Sequence, residues 1–502
     1  MRLSFDSLVE SCEAAIRAGQ APEAARLLNT VSPHKVPRVW RLKLANLCRR
    51  SGQVSLGMKF LSGLIHAQYG RRKIEPTSGE LAEYAVLLLR SGAVIESLRT
   101  LEKVDTAQVP EALLYKAFAH FARWEYPQSI PHLDAYLRHP LAPYAELVGR
   151  VNLAAALVAT TDYVRAAEVL SRNIEQARNM GASRLLGNCH ELRAQIHIDL
   201  GEYAKAREDL NTAAQVFKSN DSPGGIFVEK WLAVIEGMEE GRADRLEFFR
   251  SRAQNRQDWE SVREADLFLN KIRFRKDEFD HLYFGSPRAF YREMITRYTG
   301  RRPDSETYVY GRRGGSLMDI ATGKVLDREG GEIPGRNMHL LMAALTRDFY
   351  RPRSMGGLFA EVFPGDHFNI FNSPDRLHQV LRRTRLWLRE NSIPVRIEED
   401  RGAYRLNFTG DFAFVVPLEV RAKDGAELAL EKLSHIYPGP KEFSAREARE
   451  LLGMPKTSFN RFIKWALENG KLRSFGKSTA TLYHLAPEVL AGGIRQRQID
   501  AA

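Results

Sequence analysis

Basic and amide-bearing side chains are concentrated near the end of the 502-residue chain, between residues 456 and 477. Cationic side chains can bond to phosphate oxygens, and a guanidinium can form paired bonds to guanine in the major groove. This chemistry predicts contact with duplex DNA. The residues that we expect to make it are Lys456, Ser458, Asn460, Arg461, Lys464, Lys471, Arg473 and Lys477.

Two helices and a hairpin are predicted to position these side chains. Ser444 can cap the first helix, AREARELLG, and Gly453 can end it in the left-handed conformation. After the turn Met454-Pro455, a second helix is predicted from Thr457 to Asn469, with a buried stripe formed by Phe459, Phe462, Ile463, Ala466 and Leu467. The sequence KLRSFGKSTATLYHL then alternates as two short strands, which predicts a basic hairpin.

This order of helix, turn, basic helix and hairpin resembles the winged helix-turn-helix domains of transcription regulators. The resemblance implies that the second helix enters the major groove and that the hairpin contacts the DNA backbone. We assign residues 421–487 to this domain and residues 488–502 to a basic tail. The alternative is a winged helix that serves protein docking.

A second basic helix is predicted in the sequence DRLHQVLRRTRLWLREN, with a hairpin, VRIEEDRGAYRLNF, after it. The predicted strands, the helices around MHLLMAALTRDF and MGGLFAEVF, the basic helix and the hairpin together resemble the effector domain of OmpR/PhoB-type response regulators. We assign this domain to residues 316–420. The resemblance implies DNA contacts by Gln379, Arg382, Arg383 and Arg385 on the basic helix and by Arg401 on the wing.

Three carboxylates on the same hairpin, Glu398, Glu399 and Asp400, would approach phosphate, so we expect the middle domain to bind DNA more weakly than the last domain. The alternative is an arginine-rich helix on a solvated or interdomain face. A passage rich in glycine, arginine and proline precedes this domain, and we expect residues 284–315 to be a linker.

The first 283 residues contain an internal repeat with one turn signature, seen as RAGQAPEA, RSGQVSLG, RSGAVIES, ARWEYPQS, ATTDYVRA and DLGEYAKA. The turn positions recur every 32 to 40 residues, at Gly19, Gly52, Gly92, Trp124, Thr161 and Gly201. A small residue stands seven positions before each turn and another five positions after it, and a leucine stands nine positions after it. Small residues permit close crossing of two antiparallel helices.

The pattern resembles the tetratricopeptide repeat, which implies an α-α superhelix whose first helices line a groove for a protein segment. Arg17, Arg50 and Arg90 precede three successive turns by two residues, with Asn46 nearby, which suggests that the groove binds an acidic segment. Alternatively, these arginines only interact with the negative ends of their helices.

Composition narrows the function classes. Residues 1–280 contain 39 Lys and Arg against 36 Asp and Glu, whereas residues 281–502 contain 35 against 26, so the basic excess lies in the C-terminal part. Three cysteines without metal-ligand spacing argue against a zinc or disulfide framework. No long apolar run predicts a membrane segment, and we expect a cytoplasmic protein with no cofactor.

The sequence contains no phosphate loop, nucleophile elbow or zinc-peptidase motif, so we expect no enzyme activity. We predict a mainly α chain: a repeat superhelix followed by two small α+β winged-helix domains, acting as a DNA-binding transcriptional regulator that also binds a protein or peptide. The main alternative is a protein interaction scaffold. A third possibility is that the repeats hold the DNA-binding domains until a ligand releases them.

Overall fold

The computed structural model describes residues 4–66, 75–219, 224–327, 331–418, 425–437, 441–476, 481–487 and 489. The described residues are mainly α-helical, and the small sheets that they form lie in the C-terminal part. This confirms the predicted fold class. Among the described residues, no helix combines the length and the apolar character that a membrane span requires.

In the described residues, the repeat array consists of eight antiparallel helix pairs. Each pair has a first and a second helix joined by a short turn, and consecutive pairs pack side by side. The helices are α1 Phe5–Arg17, α2 Ala21–Leu28, α3 Arg38–Arg50, α4 Val54–Ile65, α5 Ser78–Arg90, α6 Val94–Leu101, α7 Glu111–Phe121, α8 Tyr126–Tyr136, α9 Pro143–Ala159, α10 Tyr163–Asn179, α11 Ser183–Asp199, α12 Tyr203–Ser219, α13 Gly225–Glu240, α14 Asp244–Asn255, α15 Trp259–Ile272 and α16 Lys276–Phe284.

The turn signature is confirmed by the backbone. The glycines at the predicted turn positions have positive φ, with values from 73° to 83° in the first six pairs. Trp124 and Thr161 adopt the same left-handed conformation, with φ of 56° and 63°, although they carry side chains that disfavour it. The first six turns therefore share this conformation whether or not the residue is glycine, and glycine adopts it at the lowest cost.

The packing positions of the repeat are also confirmed. Each predicted small residue and each predicted leucine of the six units is buried. At Gly57, an added Cβ would lie 3.0 Å from a Leu87 methyl group and 3.1 Å from the Cβ of Cys48, which shows how closely the helices approach. The small residues therefore allow the contact, and the leucines fill the space between the paired helices.

The residues predicted to be a linker, 284–315, contain regular secondary structure. It contains helix α17, Ala289–Thr299, and strand β1, Thr307–Gly311. Aromatic residues of α17 pack across the turns of the fourth to sixth helix pairs: the Tyr291 ring lies 4.1 Å from the Trp124 ring, and the Tyr298 hydroxyl donates to Asp199 at 2.8 Å. The composition of residues 299–315 suggested a linker, but burial of these rings orders the helix before it.

The middle domain combines two sheets with three helices. Strands β1, β2 (Ser316–Asp319), β3 (Lys324–Val325) and β7 (Phe412–Pro417) form a sheet in the order β1-β7-β2-β3. Helices α18 (Arg336–Leu345), α19 (Met355–Val362) and α20 (Ser373–Glu390) pack on one another. A second sheet has the order β4-β6-β5 and contains β4 (Arg353–Ser354), β5 (Val395–Asp400) and β6 (Ala403–Phe408).

The last module follows the order helix, strand, helix, helix, strand, strand. Its elements are α21 (Gly425–Ile436), β8 (Phe443–Ser444), α22 (Ala445–Leu452), α23 (Lys456–Glu468), β9 (Leu472–Phe475) and β10 (Leu482–Leu485). The three strands pair in the order β8-β10-β9. As predicted, Ser444 accepts a bond from the Glu447 amide, and Gly453 ends α22 with φ of 62°.

Candidate nucleic-acid and partner interfaces

One face of α23 carries the polar side chains that the sequence placed there. Its opposite face is held by Phe459, Phe462, Ile463 and Ala466, all of which are buried in the core of the module. Because those four residues fix the rotation of the helix, the outer face is set as well. The exposed residues on it are Lys456, Ser458, Asn460, Arg461 and Lys464.

The hairpin extends this basic surface. Lys471 and Arg473 are exposed, directly before and on β9, while Leu472 between them is buried. This alternation is what a half-buried strand produces. Lys477 lies outside the described residues.

Few acids neutralise the surface. Lys464 lies 3.8 Å from a Glu468 carboxylate oxygen, and both side chains are largely exposed, so this pair contributes little stability. Among the described residues, Lys456, Arg461, Lys471 and Arg473 form no ion pair. The basic side chains are therefore solvated and accessible to an anionic partner.

Leu467 was predicted to be buried and is not, because 36 % of it is exposed. Leu451, Phe475 and Leu482 of the same module are also exposed. Leu467 follows Ala466 at the edge of the apolar stripe, and a module of this size has too few residues to cover both sides of the helix. The last module thus presents apolar as well as basic surface.

The basic helix of the middle domain, α20, has the predicted orientation. Leu377, Val380, Leu381, Thr384 and Leu388 are buried, and Gln379, Arg382 and Arg383 are exposed. Arg385 is exposed as well, but its Nε and one Nη donate to the Ile397 carbonyl at 3.1 and 2.9 Å. That side chain fixes α20 to β5, and its guanidinium is already hydrogen-bonded.

Arg401 lies at the tip of the β5-β6 hairpin, as predicted. Arg401 and Gly402 both have positive φ, which is typical of a two-residue hairpin turn. The Arg401 side chain is 88 % exposed and its Nε lies 3.9 Å from Asp400. Glu398 accepts from Asn407 at 2.5 Å and from Arg405 at 3.4 Å, so one of the three wing carboxylates is partly neutralised within the hairpin.

The middle domain is docked on the repeats, a contact that no sequence pattern predicted. Helix α19 begins against the turn of the third helix pair, where a Cβ on Gly92 would lie 2.0 Å from the Ser354 hydroxyl oxygen. A Cβ on Gly356 would lie 2.7 Å from the Ala93 amide nitrogen. The pair Gly356-Gly357 within a short helix was the sequence signal for this close approach.

Side chains extend the same contact. Phe359 and Phe368 are buried in the core of the first repeats, and His367 Nδ1 lies 2.8 Å from a Glu96 carboxylate oxygen. A second contact joins the last repeats to the domain, where Arg263 donates to Asp348 at 2.8 Å and Tyr350 donates to Asp266 at 2.8 Å. These contacts hold the middle domain in one orientation on the array.

A groove runs along the first helices of the repeats, as the resemblance implied. A cavity of about 550 Å³ lies there and is lined from α1, α3, α5 and the start of α7. Asn46 lines it and donates to Glu83 at 3.2 Å. The charged side chains of its lining are Glu13, Lys43, Glu83 and Glu111.

The three arginines whose spacing suggested an acidic segment lie outside the lining of the groove. Arg17, Arg50 and Arg90 are exposed in the last turns of α1, α3 and α5 and are not part of the cavity lining. They occupy the position where a cation interacts with the negative end of a helix. Glu83 is paired with Arg49 at 2.6 Å and Glu13 lies 3.7 Å from Lys43, so Glu111 is the carboxylate of the lining that forms no ion pair with any described residue.

Two of the solved structures that match part of the chain are Rap proteins. A crystal structure of a Rap protein complexed with competence and sporulation factor is 14 % identical, and the match covers 55 % of this chain and 86 % of that chain with a TM-score of 0.40. The apo form of RapI is 12 % identical, with 59 % and 94 % covered and a TM-score of 0.39. No protein-family model matches the sequence, and no curated protein matches it.

Proposed function

We propose that the protein is a DNA-binding transcriptional regulator whose last module binds duplex DNA and whose repeats bind a protein or peptide. The observation that carries this proposal is the row of exposed basic side chains on α23 and β9, which form almost no ion pairs within the described chain. When a protein binds DNA, such cationic side chains replace counterions that are condensed on the phosphates. Few ion pairs within the chain would therefore have to break before these side chains could bind DNA.

We infer that the middle domain makes a second, weaker contact with DNA. Its order of helix, strand, two helices and a hairpin, together with the sheet before it, is consistent with the OmpR/PhoB-type resemblance. Arg382 and Arg383 are exposed on the helix that this resemblance assigns to DNA. Arg385, by contrast, is bound to the Ile397 carbonyl, so we omit it from the proposed contacts.

The groove on the first helices is the proposed site for the protein partner. Val39, at the groove, is 77 % exposed, and the Glu111 carboxylate in the lining forms no ion pair with any described residue. A segment that pairs apolar residues with lysine or arginine would cover both features.

The test of DNA binding is the double variant Arg461→Ala, Lys464→Ala in the full chain. Its matched control is Arg172→Ala, Arg178→Ala, which removes the same charge from exposed positions on α10. Fluorescence anisotropy with a pool of random duplexes should show a loss of about tenfold or more for the first variant and little change for the control.

Salt dependence completes this test. The slope of log affinity against log salt should decrease by roughly 1 to 2 in the α23 variant, since about 0.9 is expected for each lost phosphate contact. The melting temperature should stay nearly unchanged, because both side chains are exposed. Equal losses in the variant and the control would show that affinity follows net charge and not this helix.

The alternative function, a protein interaction scaffold, is favoured by one observation. The exposed side chains of Leu451, Phe475 and Leu482 provide apolar surface on the last module, which protein docking can use. If the chain fails to bind any duplex at low salt, and Phe475→Ser abolishes capture of a protein partner, the scaffold is correct.

A further inference from the structure

A cavity of about 430 Å³ lies where the repeats meet the middle domain. Its walls come from the turns of the third and fourth helix pairs, the start of α15, the segment before α17 and the wing. The lining contains three carboxylates, Glu260, Asp348 and Asp400. It also contains six arginines, namely Arg263, Arg288, Arg351, Arg353, Arg401 and Arg405.

Some of these arginines are already compensated. Arg263 is fully buried, donates to Asp348 at 2.8 Å, and stacks with its guanidinium carbon 4.7 Å from the Trp124 ring centre. Arg353 pairs with Glu361, outside the cavity lining, and Arg405 donates to Glu398 at 3.4 Å. These side chains form the structural part of the wall.

The positive charge of Arg288 is not compensated by a neighbouring acid. Its side chain forms no hydrogen bond or ion pair with any residue that the structure describes, although it is partly buried. Glu361, the acid that acts on it, is already bonded to Arg353 and lies 3.9 Å from Arg347. Burial and the neighbouring guanidinium groups of Arg123, Arg353 and Arg347 lower the pKa of Arg288 to about 10.

Two further arginines have weakly held guanidinium groups. Arg351 Nη1 lies 3.7 Å from Glu260 and Arg401 Nε lies 3.9 Å from Asp400, both beyond hydrogen-bond distance. Their side chains are 62 % and 88 % exposed, so they can turn toward a bound molecule at little cost. They come from the segment before α19 and from the wing tip.

We propose that this cavity binds a small phosphate-bearing anion, with Arg288 as its half-buried contact and Arg351 and Arg401 closing over it. A phosphate suits the site because guanidinium groups bond its oxygens in pairs, and because a dianion would offset the uncompensated charge. The volume is within the range of small-molecule sites. Trp124 and Trp259 also line the cavity and offer aromatic surface, so inorganic phosphate and a nucleotide are both possible sources of this group.

Such a ligand would connect three parts of the chain. Arg288 precedes α17, Arg351 precedes α19, and Arg401 is the residue of the wing that the OmpR/PhoB-type resemblance directs to DNA. This inference goes beyond the proposed function and does not depend on DNA binding, so the two can fail separately.

The experiment measures ligand binding by the full chain without DNA. Isothermal titration calorimetry and thermal shift are recorded with inorganic phosphate, pyrophosphate, AMP and ATP, at constant ionic strength set with chloride. We expect at least one compound to bind and to raise the melting temperature, because a ligand that binds the folded state stabilises it. Tighter binding of nucleotides than of pyrophosphate would identify the nucleotide as the source, and the reverse would identify an inorganic phosphate.

The decisive variant is Arg288→Met, which keeps the length of the side chain and removes the charge. It should weaken binding at least tenfold, while the melting temperature without ligand stays the same or rises. Arg351→Met and Arg401→Met should each weaken binding severalfold, and the control Arg172→Met on α10 should have no effect.

The proposal is overturned if none of the four compounds binds, or if Arg288→Met and the control bind them equally. It is also overturned if Arg288→Met weakens binding to duplex DNA while no small compound binds, because the arginines would then be a DNA contact. A fall in the melting temperature of unliganded Arg288→Met would show that the arginine stabilises the fold, which contradicts the uncompensated charge.

Discussion

The middle domain and the last module share the order helix, strand, helix, helix, strand, strand, but they differ in what surrounds the basic helix. The middle domain inserts Phe359 and Phe368 into the core of the repeats and uses Arg385 to hold its own wing. In the last module, the buried residues of the core cluster all come from the module itself, and the cations of α23 are solvated. The same order of elements can therefore form a domain that is docked on the repeats or a module whose basic helix is accessible.

This difference teaches that a row of arginines on a helix does not by itself identify a nucleic-acid surface. Burial of the opposite face, the absence of nearby acids and the position of the module on the chain decide whether the charges are accessible. By these criteria the last module is the stronger candidate for DNA binding, and the middle domain is the candidate for communication with the repeats.

The largest expected effect compares two core phenylalanines. Phe359→Ala and Phe462→Ala should each cost about 3–5 kcal/mol, since both side chains are buried. Calorimetry should show that Phe359→Ala lowers the main transition, which the repeats and the middle domain share. Phe462→Ala should shift a separate, smaller transition. Loss of the main transition in both variants would show that the two regions fold as one unit.

The second prediction compares the two basic helices. Arg461→Ala with Lys464→Ala should weaken DNA binding by about 2 kcal/mol, and Arg382→Ala with Arg383→Ala by less than about 1 kcal/mol, because Glu398, Glu399 and Asp400 lie on the adjoining wing. Both pairs are measured by anisotropy at the same salt concentration. If Arg382→Ala with Arg383→Ala has the larger effect, the last module is not the stronger DNA-binding region.

A third prediction isolates the docking contact. Gly92→Ala and Gly201→Ala both introduce a side chain at positive φ, which costs about 1–2 kcal/mol. A Cβ at position 201 meets open space, whereas a Cβ at position 92 would collide with Ser354. Chemical denaturation should therefore show a greater loss for Gly92→Ala, and adding Ser354→Gly should recover the difference. Equal losses would mean that α19 does not rest on this turn.

The smallest effect is a pH dependence of the docked region. His281 packs among Tyr308, Phe349 and Tyr350, and burial lowers its pKa. The folded state therefore disfavours the protonated form, so its stability is complete above the usual histidine pKa near 6.5 and decreases as the pH falls below it. Between pH 7 and pH 5 the main transition should lose up to about 1 kcal/mol through His281, and His281→Gln should reduce the loss, while burial also lowers the pKa of His66 and His132 and leaves the remainder. If the pH change shifted only the unfolding transition of the last module, His281 would not be the group responsible.

The repeat array could be predicted from the sequence because its information is local. A turn residue, two small residues and a leucine recur at fixed offsets, and the left-handed φ values of Trp124 and Thr161 show that the signature held even where glycine was absent. The buried stripes of α20 and α23 were predictable for the same reason, apart from Leu467 at the edge of its stripe.

The contacts between regions could not be predicted in this way. Strand β1 pairs with β7, which lies about a hundred residues later, and α17 depends on rings in the fourth helix pair. The bond from Arg385 to the Ile397 carbonyl required knowledge of how closely β5 approaches α20. The candidate DNA surface of the last module followed from the sequence, whereas the arginine cavity did not, because its residues come from distant segments.

Helix α17 has a mechanical consequence. It crosses the turns of the fourth to sixth helix pairs and continues into β1, an edge strand of the first sheet of the middle domain. The seven residues between them, 300–306, span at most about 25 Å when fully extended. If a bound molecule displaced α17 from those turns, residues 300–306 would first become extended. Any further displacement would pull β1 away from β7, so a force on the array would be transmitted to the first sheet through this short segment.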